Sequence, residues 1–548
     1  MMIKSRIVLF FFLTCATSWA QLSKTHFIPP ITVANNGNAT PGDQFIQIST
    51  PSSSVFNVHV TEVGGLSTDY SVSNSSPLEI LVGSGDNTQF IANPLNTGTV
   101  YSNKGYIIQA DEPIFVSVRL IAGNSNQAGS IVSKGLSAMG NTFRIGSFTN
   151  LKTFNGTEND YLNFMAIMAT ENNTAISITD LPAGLVVLND TPSSAVLQAG
   201  ETLVFAVEPK TASDNRDGLI GALVDADKPV VVNCGSFNGS NDVGSGRDAG
   251  IDQIAPLETI AVDGQAFSEY IFIRGNGYDA IERPLIVAHF DDTEVWLHGN
   301  DSNGTLLATL SAGEYVSISG AFYSPQSAGG NMYVWTSKTA FAYQGVGGTA
   351  SEPNQELFFV PPINCKTPQS IDLIPDIDHT GTGSASFNGG ITIVAETGAD
   401  VYVNGILLTA SLPVLGNANF VSYLSNNLTG NVTVTSDGQI YVSYFGANGA
   451  AALGGFYSGF IFKPEITSLP LDGQLTNLCI PNVFLDLSSS SSFDSYQWYY
   501  NDIAIAGETN VSMTPTAPGF YQLEGVITDC DTILSDIIPV SNCSGDYD

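Results

Sequence analysis

Chemistry in this chain would have to come from histidines, cysteines or paired carboxylates, and all three are present. The five histidines, His26, His59, His289, His298 and His379, are scattered, and none stands in a zinc-protease or nucleophile-elbow pattern. His289 and His298 flank one predicted hairpin and could meet across it, although histidines beside turns are as a rule structural. Carboxylates lie closer together: Asp214 with Asp217, Asp242 with Asp248, and Asp376 with Asp378. Glycoside hydrolysis needs such a pair, one acid and one base or nucleophile, at a fixed separation. Solvated acidic loops use the same residues, and that is the reading adopted. The run Asp214-Asn215-Arg216-Asp217-Gly218 offers oxygen ligands and a glycine turn to calcium, but Arg216 interrupts it and the full twelve-residue loop is missing. No catalytic, cofactor-binding or metal-binding residue is assigned, and calcium stays as the sole cofactor option. Tyr343, Tyr441 and Tyr444, beside glycine loops, could form carbohydrate platforms, with strand core as their commoner fate.

The N-terminus reads as a secretory signal over residues 1–20. Lys4 and Arg6 precede the apolar run Ile7 to Leu13, and Ser18-Trp19-Ala20 is a small-x-small cleavage site before Gln21. That run is far short of the ~18 residues a membrane-spanning helix needs. Removing Cys15 with the signal leaves Cys234, Cys365, Cys479, Cys530 and Cys543, which in an oxidising compartment allow at most two bridges and one thiol. The favoured bridge is Cys479 to Cys530, with Cys543 as the alternative partner. Cys234 with Cys365 is the remaining candidate pair, with no spacing argument behind it.

What must position these groups is a repeated β element. The stretch Ala226-Asp227-Lys228-Pro229-Val230-Val231-Val232-Asn233-Cys234-Gly235 recurs as Ala110-Asp111-Glu112-Pro113-Ile114-Phe115-Val116. It returns more weakly at Ser337-Lys338-Thr339-Ala340-Phe341 and Ser436-Asp437-Gly438-Gln439-Ile440-Tyr441, at intervals of about 100 to 116 residues. Proline suits a turn before a strand, and the β-branched run behind it suits a pleated, half-buried surface. Leu197-Gln198-Ala199-Gly200-Glu201 recurs as Leu310-Ser311-Ala312-Gly313-Glu314, a glycine turn leading into a strand. Residues 167–178, 286–297 and 393–403 are each predicted to form a hairpin around a polar turn. Aromatic and proline segments at Phe27-Ile28-Pro29-Pro30, Ile254-Ala255-Pro256, Phe358 to Pro362 and Phe460 to Pro464 bound the units. With 54 Gly and 26 Pro and no amphipathic helix between these marks, the expectation is all-β. The four antiparallel units either lie as tandem sandwiches or close into a propeller-like ring, the strand near Phe27 completing the last one. The boundaries fall at about 27–142, 143–253, 254–357 and 358–464 within a repeat region of 21–466.

A length of 548 residues is enough for three to five domain-sized units at roughly 100 to 200 residues each. Lys+Arg 17 against Asp+Glu 51 gives a net charge of −34, which repels nucleic acid and anionic lipid. Only 12% of residues are charged while 43% are hydrophobic, so this is a folded chain made soluble by Asn, Ser, Thr and Gly. Asn-x-Ser/Thr sequons at Asn38, Asn155, Asn189 and Asn427 fit an exported surface.

The Asp-Lys-Pro-Val-Val-Val strand, the glycine-rich loop Gly235 to Gly250, the segment Asp252-Gln253-Ile254-Ala255-Pro256 and the Thr-x-Val hairpins together resemble the IgGFc-binding protein N-terminal domain, over roughly residues 25 to 466. That domain occurs in an animal mucus protein and widely in secreted proteins of gliding bacteria. The resemblance implies surface exposure and adhesive or ligand-binding use, with no catalytic set to carry over. Immunoglobulin binding belongs to the animal namesake.

From about residue 467 to 548 the composition changes. Val483 to Leu487, a serine run at 488–492, Tyr496-Gln497-Trp498-Tyr499-Tyr500, and Pro518-Gly519-Phe520-Tyr521 resemble a bacterial immunoglobulin-like module whose buried Trp498 supplies its core. The C-terminus stops without the sorting module that often follows such domains, which leaves release or a truncated sequence as the expectations. The leading expectation is an exported, non-enzymatic adhesion or recognition protein, secreted or at the cell surface. Its partners would be extracellular glycans or glycoproteins, with no nucleic acid and no membrane insertion after signal removal. A glycan-degrading hydrolase and a structural surface component are the alternatives.

Overall fold

The computed structural model describes residues 22–34, 39–150, 161–209, 211–241, 247–261, 267–298, 304–349, 355–364, 370–460, 464–471, 478–487, 493–526, 532–535 and 537–543. It is all-β, and among the described residues the α-helical content is one turn, Leu257–Ile260. No helix among them is long and apolar enough to cross a membrane.

The proline stretch lies within the long strand Leu223–Gly239. Its first half pairs with Gly140–Arg144 and Thr174–Thr179, and its second half with Leu162–Ala169 and Asp248–Ile254. The ladder to Thr174–Thr179 ends at Ala226, and the ladder to Leu162–Ala169 starts at Val230. Pro229, which has no N–H to give, sits where the chain leaves one sheet for the other. With strands counted in chain order, the first, sixth, third and fourth form one ladder and the fifth, second, seventh and eighth the other, the sixth and seventh being halves of Leu223–Gly239.

Three other stretches pair in the same order. Between Ser23 and Val132, the long strand Tyr106–Ala122 takes both central places. Between Ser268 and Phe359 the places fall to Asn331–Thr336 and Ala340–Val346, and between Ser370 and Phe456 to Val432–Ser436 and Ile440–Asn448. The residue two before the proline position has one job in all four. Asp111 Oδ2 accepts the Asn57 N–H (3.2 Å), Asp227 Oδ1 that of Ala175 (2.8 Å), Ser337 Oγ that of Glu294 (2.9 Å) and Asp437 Oδ1 that of Asp400 (2.8 Å). A short side-chain acceptor there satisfies the opening donor of the third strand.

Two expectations about strand pairing need correcting. Residues 167–178, 286–297 and 393–403 are not hairpins, because their two strands lie in different ladders. The polar turn, with Asn173 and Asp292 at positive φ, carries the chain across to the opposite sheet. True pairing follows at the next turn, as where Val403 faces Ile406 around Asn404-Gly405. The strand near Phe27 does not complete the last unit either: Ser23–Ile28 pairs with Tyr106–Ala122, its immediate neighbour in the first set.

The eighth strands, Gln127–Val132, Asp248–Ile254, Glu356–Phe359 and Ala451–Phe456, are edge strands of their ladders, are wholly buried and pack against one another in the interior. Edges left open would template association; here each set covers those of its neighbours. Glycines permit the approach, since a Cβ on Gly129 would stand 2.8 Å from the Ala249 carbonyl oxygen and one on Gly455 2.5 Å from Val132 Cγ2.

Residues beyond Glu465 form a three-stranded and a five-stranded sheet around Trp498, which is fully buried and donates its indole N–H to the Asn510 carbonyl at 2.9 Å. The bridge here joins Cys479 to Cys543, Cα atoms 5.0 Å apart, and not to Cys530, which lies outside the described residues. The Ile480 N–H donates to the Ser541 carbonyl and the Cys543 N–H to the Ile480 carbonyl, drawing the two cysteines together. Cys234 is a free, buried thiol, so the proposed pair with Cys365 is also corrected; Cys365 itself is outside the described residues. Residues 1–20, expected to be a signal, and Asp242, Asn38 and Asn155 likewise fall outside them.

Candidate functional site

A cleft of about 730 Å³ opens where the second set meets the third. It is lined by Asp180, Leu181, Pro182, Asp217, Gly218 and Ile220 on one side and by Leu310, Ala312, Gly313, Glu314 and Tyr315 on the other. The second wall is the glycine turn recognised in the sequence. Gly313 holds φ +79°, a conformation glycine adopts without penalty, and its carbonyl oxygen would lie 1.8 Å from a Cβ on Gly221. The two walls therefore touch through backbone at the floor.

Each acid on the second-set side is held by a partner. Arg144, almost wholly buried, donates from Nη1 to Asp180 Oδ2 (2.5 Å) and to the Gly221 carbonyl, and from Nη2 to the His289 carbonyl. Asp217 Oδ2 accepts from Arg216 Nη2 (2.6 Å) and from the Tyr315 hydroxyl (2.7 Å), a bond across the two walls. Burial, with the Asp217 bond as a lesser cause, pushes the Tyr315 phenol well above its ordinary range, so it stays a donor. Glu314 Oε2 accepts the Ser311 N–H of its own turn. No histidine or cysteine lines the cleft among the described residues. What remains is a set of fixed acceptors beside Leu181, Pro182, Ile220 and Leu310.

The other residues singled out by sequence take structural posts. Asp214 and Asp217 belong to the short turn Ser213–Arg216 and its end, and no group of three or more metal-ligating side chains able to hold an ion occurs among the described residues. Asp376 is exposed, whereas Asp378 is buried and accepts the Gly430 N–H at 2.7 Å. His289 packs edge-on against Phe290 and His298 lies 5.4 Å from the Tyr333 ring, so the two stack on different aromatic neighbours. His59 pairs with Asp69 at 2.6 Å on the surface, and half-exposed His379 lies 3.3 Å from Asp378. His26 is sealed between Ser133 Oγ and the Ser23 and Ile114 carbonyls, and burial lowers its pKa to about 4. Tyr343, Tyr441 and Tyr444 are buried, their hydroxyls bonded to Arg144 O, to Asn364 and to Ser130 Oγ, and so are core. The Cys234 thiol is pushed up to about 12 by burial, which leaves it inert.

Asp248, expected from the sequence beside Asp242, belongs to a polar cluster at the junction of the eighth strands that the sequence does not announce. Asp248 Oδ1 accepts the N–H groups of Ala128 and Ala249, and Oδ2 those of Gln355 and Ala452. Glu356 takes the N–H groups of Ser130, Ile251 and Leu357. Lys134 donates to Asp252 (2.8 Å) and to Val132 O, and Asp252 Oδ2 accepts from Phe359 N. Burial pushes the Asp248 and Glu356 carboxyls well up. For Asp248 the four N–H donors oppose this and leave no acceptor for a carboxylic proton, so the geometry is that of a carboxylate. The one signal available was a pair of acids, Asp248 and Asp252, alternating with apolar residues in one strand, Asp248–Ile254, polar groups in need of buried partners.

The fold is all-β, and its cleft between the second and third sets is lined by acceptors held in place by bonds to protein. The IgGFc binding protein family model matches residues 129–446, more than half of the chain, and the chain belongs to that family. The family is one of binding proteins. No curated protein matches the chain.

Proposed function

We propose that the chain is an exported, non-enzymatic adhesion or recognition protein that binds extracellular glycans or glycoproteins through the rim of its β scaffold. The carrying observation is the cleft between the second and third sets, where Asp180, Asp217 and Tyr315 are held in place by bonds to protein and flanked by apolar side chains. Preset acceptors beside an apolar wall match a sugar's hydroxyls and C–H faces and require little reorganisation on binding. In this proposal the scaffold consists of four copies of one eight-stranded unit, Ser23–Val132, Gly140–Ile254, Ser268–Phe359 and Ser370–Phe456, closed around their eighth strands. The recurring strand order and the recurring Asp or Ser cap support that reading. Residues 467–548 act as an immunoglobulin-like spacer, and residues 1–20 as the export signal.

The family description adds immunoglobulin Fc as a second partner to test. The experiment is a glycan and mucin array, with Fc included, probed by the chain with and without calcium. Saturable binding without product is expected. Release of sugars would overturn the reading in favour of a hydrolase.

A further inference from the structure

One row of side chains crosses each first-sixth-third-fourth ladder at an equivalent place, exposed or partly exposed except at Ser370 in the fourth set. It is fixed by the residue two after the capped N–H in the third strand and the residue two before the cap in the sixth. In the first set the row is Thr25, Gln109, His59 and Asp69; in the second, Thr142, Asp225, Ser177 and Ser194; in the fourth, Ser370, Thr435, Tyr402 and Leu407. In the third set it is Glu269, Trp335, Trp296 and Leu306.

The rows of the first and second sets carry no aromatic residue, so the ladder forms without one, and the fourth carries a single ring, Tyr402. The third set nevertheless puts two indoles side by side in parallel planes, centroids 5.8 Å apart, both partly exposed, with Leu306 43% exposed beside them. Glu294 Oε2 accepts the Trp296 indole N–H at 2.9 Å, which fixes the ring. Glu269, at the other end of the row, accepts the Tyr333 hydroxyl. In the adjacent row along the strands, Ile271 and Tyr333 are buried, and Gly416 from the fourth set stands so near partly buried His298 that a Cβ there would lie 2.6 Å from His298 Cγ. The result is an aromatic ledge with one wall and two flanking carboxylates, and with no cationic side chain in the row.

We propose that Trp296 and Trp335 form a stacking site for a β-linked gluco-configured pyranose, a proposal that rests on the glycan-binding reading of the chain. Such a sugar carries its hydroxyls equatorially and presents an apolar face of axial C–H groups. That face packs on indole, whose ring is negative above and below, while the rim hydroxyls donate to Glu269 and Glu294. A basic peptide would instead demand that the carboxylates meet cations, and the outcome below separates the two.

The probe is the chain's tryptophan emission titrated with chitohexaose and cellohexaose, with a lysine-rich peptide as control. Of the four tryptophans, Trp498 is sealed in the C-terminal core and Trp19 falls in the signal segment, so emission changes report on the pair. We expect a saturable blue shift with a hexaose, and a loss of about tenfold or more in affinity for Trp335→Ala and for Trp296→Ala. Trp335→Tyr, which keeps a stacking ring, should retain most of the binding and thereby separates stacking from sheet stability. If the array finds a glycan whose affinity both alanine variants preserve, the ledge is overturned and the recognition reading stands. If neither hexaose binds, or only the peptide does, the ledge is overturned, and an array without any glycan signal sinks the broader reading with it.

Discussion

Carboxylates occupy both the centre of this molecule and its rim, and the two places use them oppositely. At the centre, Asp248, Glu356 and Asp252 are buried and spend their oxygens on backbone N–H groups and Lys134, replacing the partners that edge strands would otherwise find in another chain. At the cleft, Asp180 and Asp217 are partly exposed, 43% and 20%, and their bonds to Arg144, Arg216 and Tyr315 leave them facing solvent. Desolvation makes the difference: removing an acceptor from a dry interior strands the donors it served, whereas water replaces it at a rim.

The comparison breaks most easily at Asp248. Asp248→Asn should cost on the order of 4 kcal/mol in chemical denaturation, because an amide turns one pair of N–H groups from satisfied to opposed. A neutral effect would mean that the carboxyl is carried protonated and that the centre is not held by charge.

His26 tests the same interior through pH. It bonds Ser133, whose hydroxyl also reaches Gln253 next to Asp252. Its folded pKa of about 4 lies below the ordinary 6.5, so the fold favours the neutral ring. Stability from this group is complete above pH 6.5, falls as pH drops from 6.5 to 4, and changes no further below that. The loss comes to about 3 kcal/mol. Unfolding curves of the wild type and His26→Gln should converge across that window; parallel curves would contradict a buried neutral His26.

Glu356→Gln should cost less, about 2 kcal/mol, since the side-chain oxygen can still serve the Ile251 and Leu357 N–H groups and only that of Ser130 is stranded. The smallest effect belongs to the rim. Asp217→Asn should change stability by less than about 1 kcal/mol while weakening glycan binding; a stability loss as large as that at Asp248 would erase the distinction between the two regions.

Much of this was legible in the chain. The recurrence of Asp-x-Pro before an apolar run marked equivalent points, because a proline and a short capping acceptor are local requirements; what the sequence offered as a turn before a strand is instead the place where one long strand passes between sheets. The paired turn Leu310 to Glu314 was legible for the same reason, and it became a wall of the cleft. Hairpins at 167–178 and its counterparts were misread because a polar turn with positive φ serves a crossing between sheets as well as a tight return, and strand partners are set by the other sheet. Cys543, rather than Cys530, was chosen by the pairing of Ile480 with Asn542, a contact between residues far apart in sequence.

By itself the sequence determined that this would be a β protein punctuated by proline and glycine and carrying strong negative charge, since composition and periodicity act residue by residue. Which acids are buried, which tryptophans face each other and where two glycine turns meet was decided only when the strands took their places. Those properties depend on partners supplied by other parts of the chain, and water is excluded or admitted only once the sheets have packed.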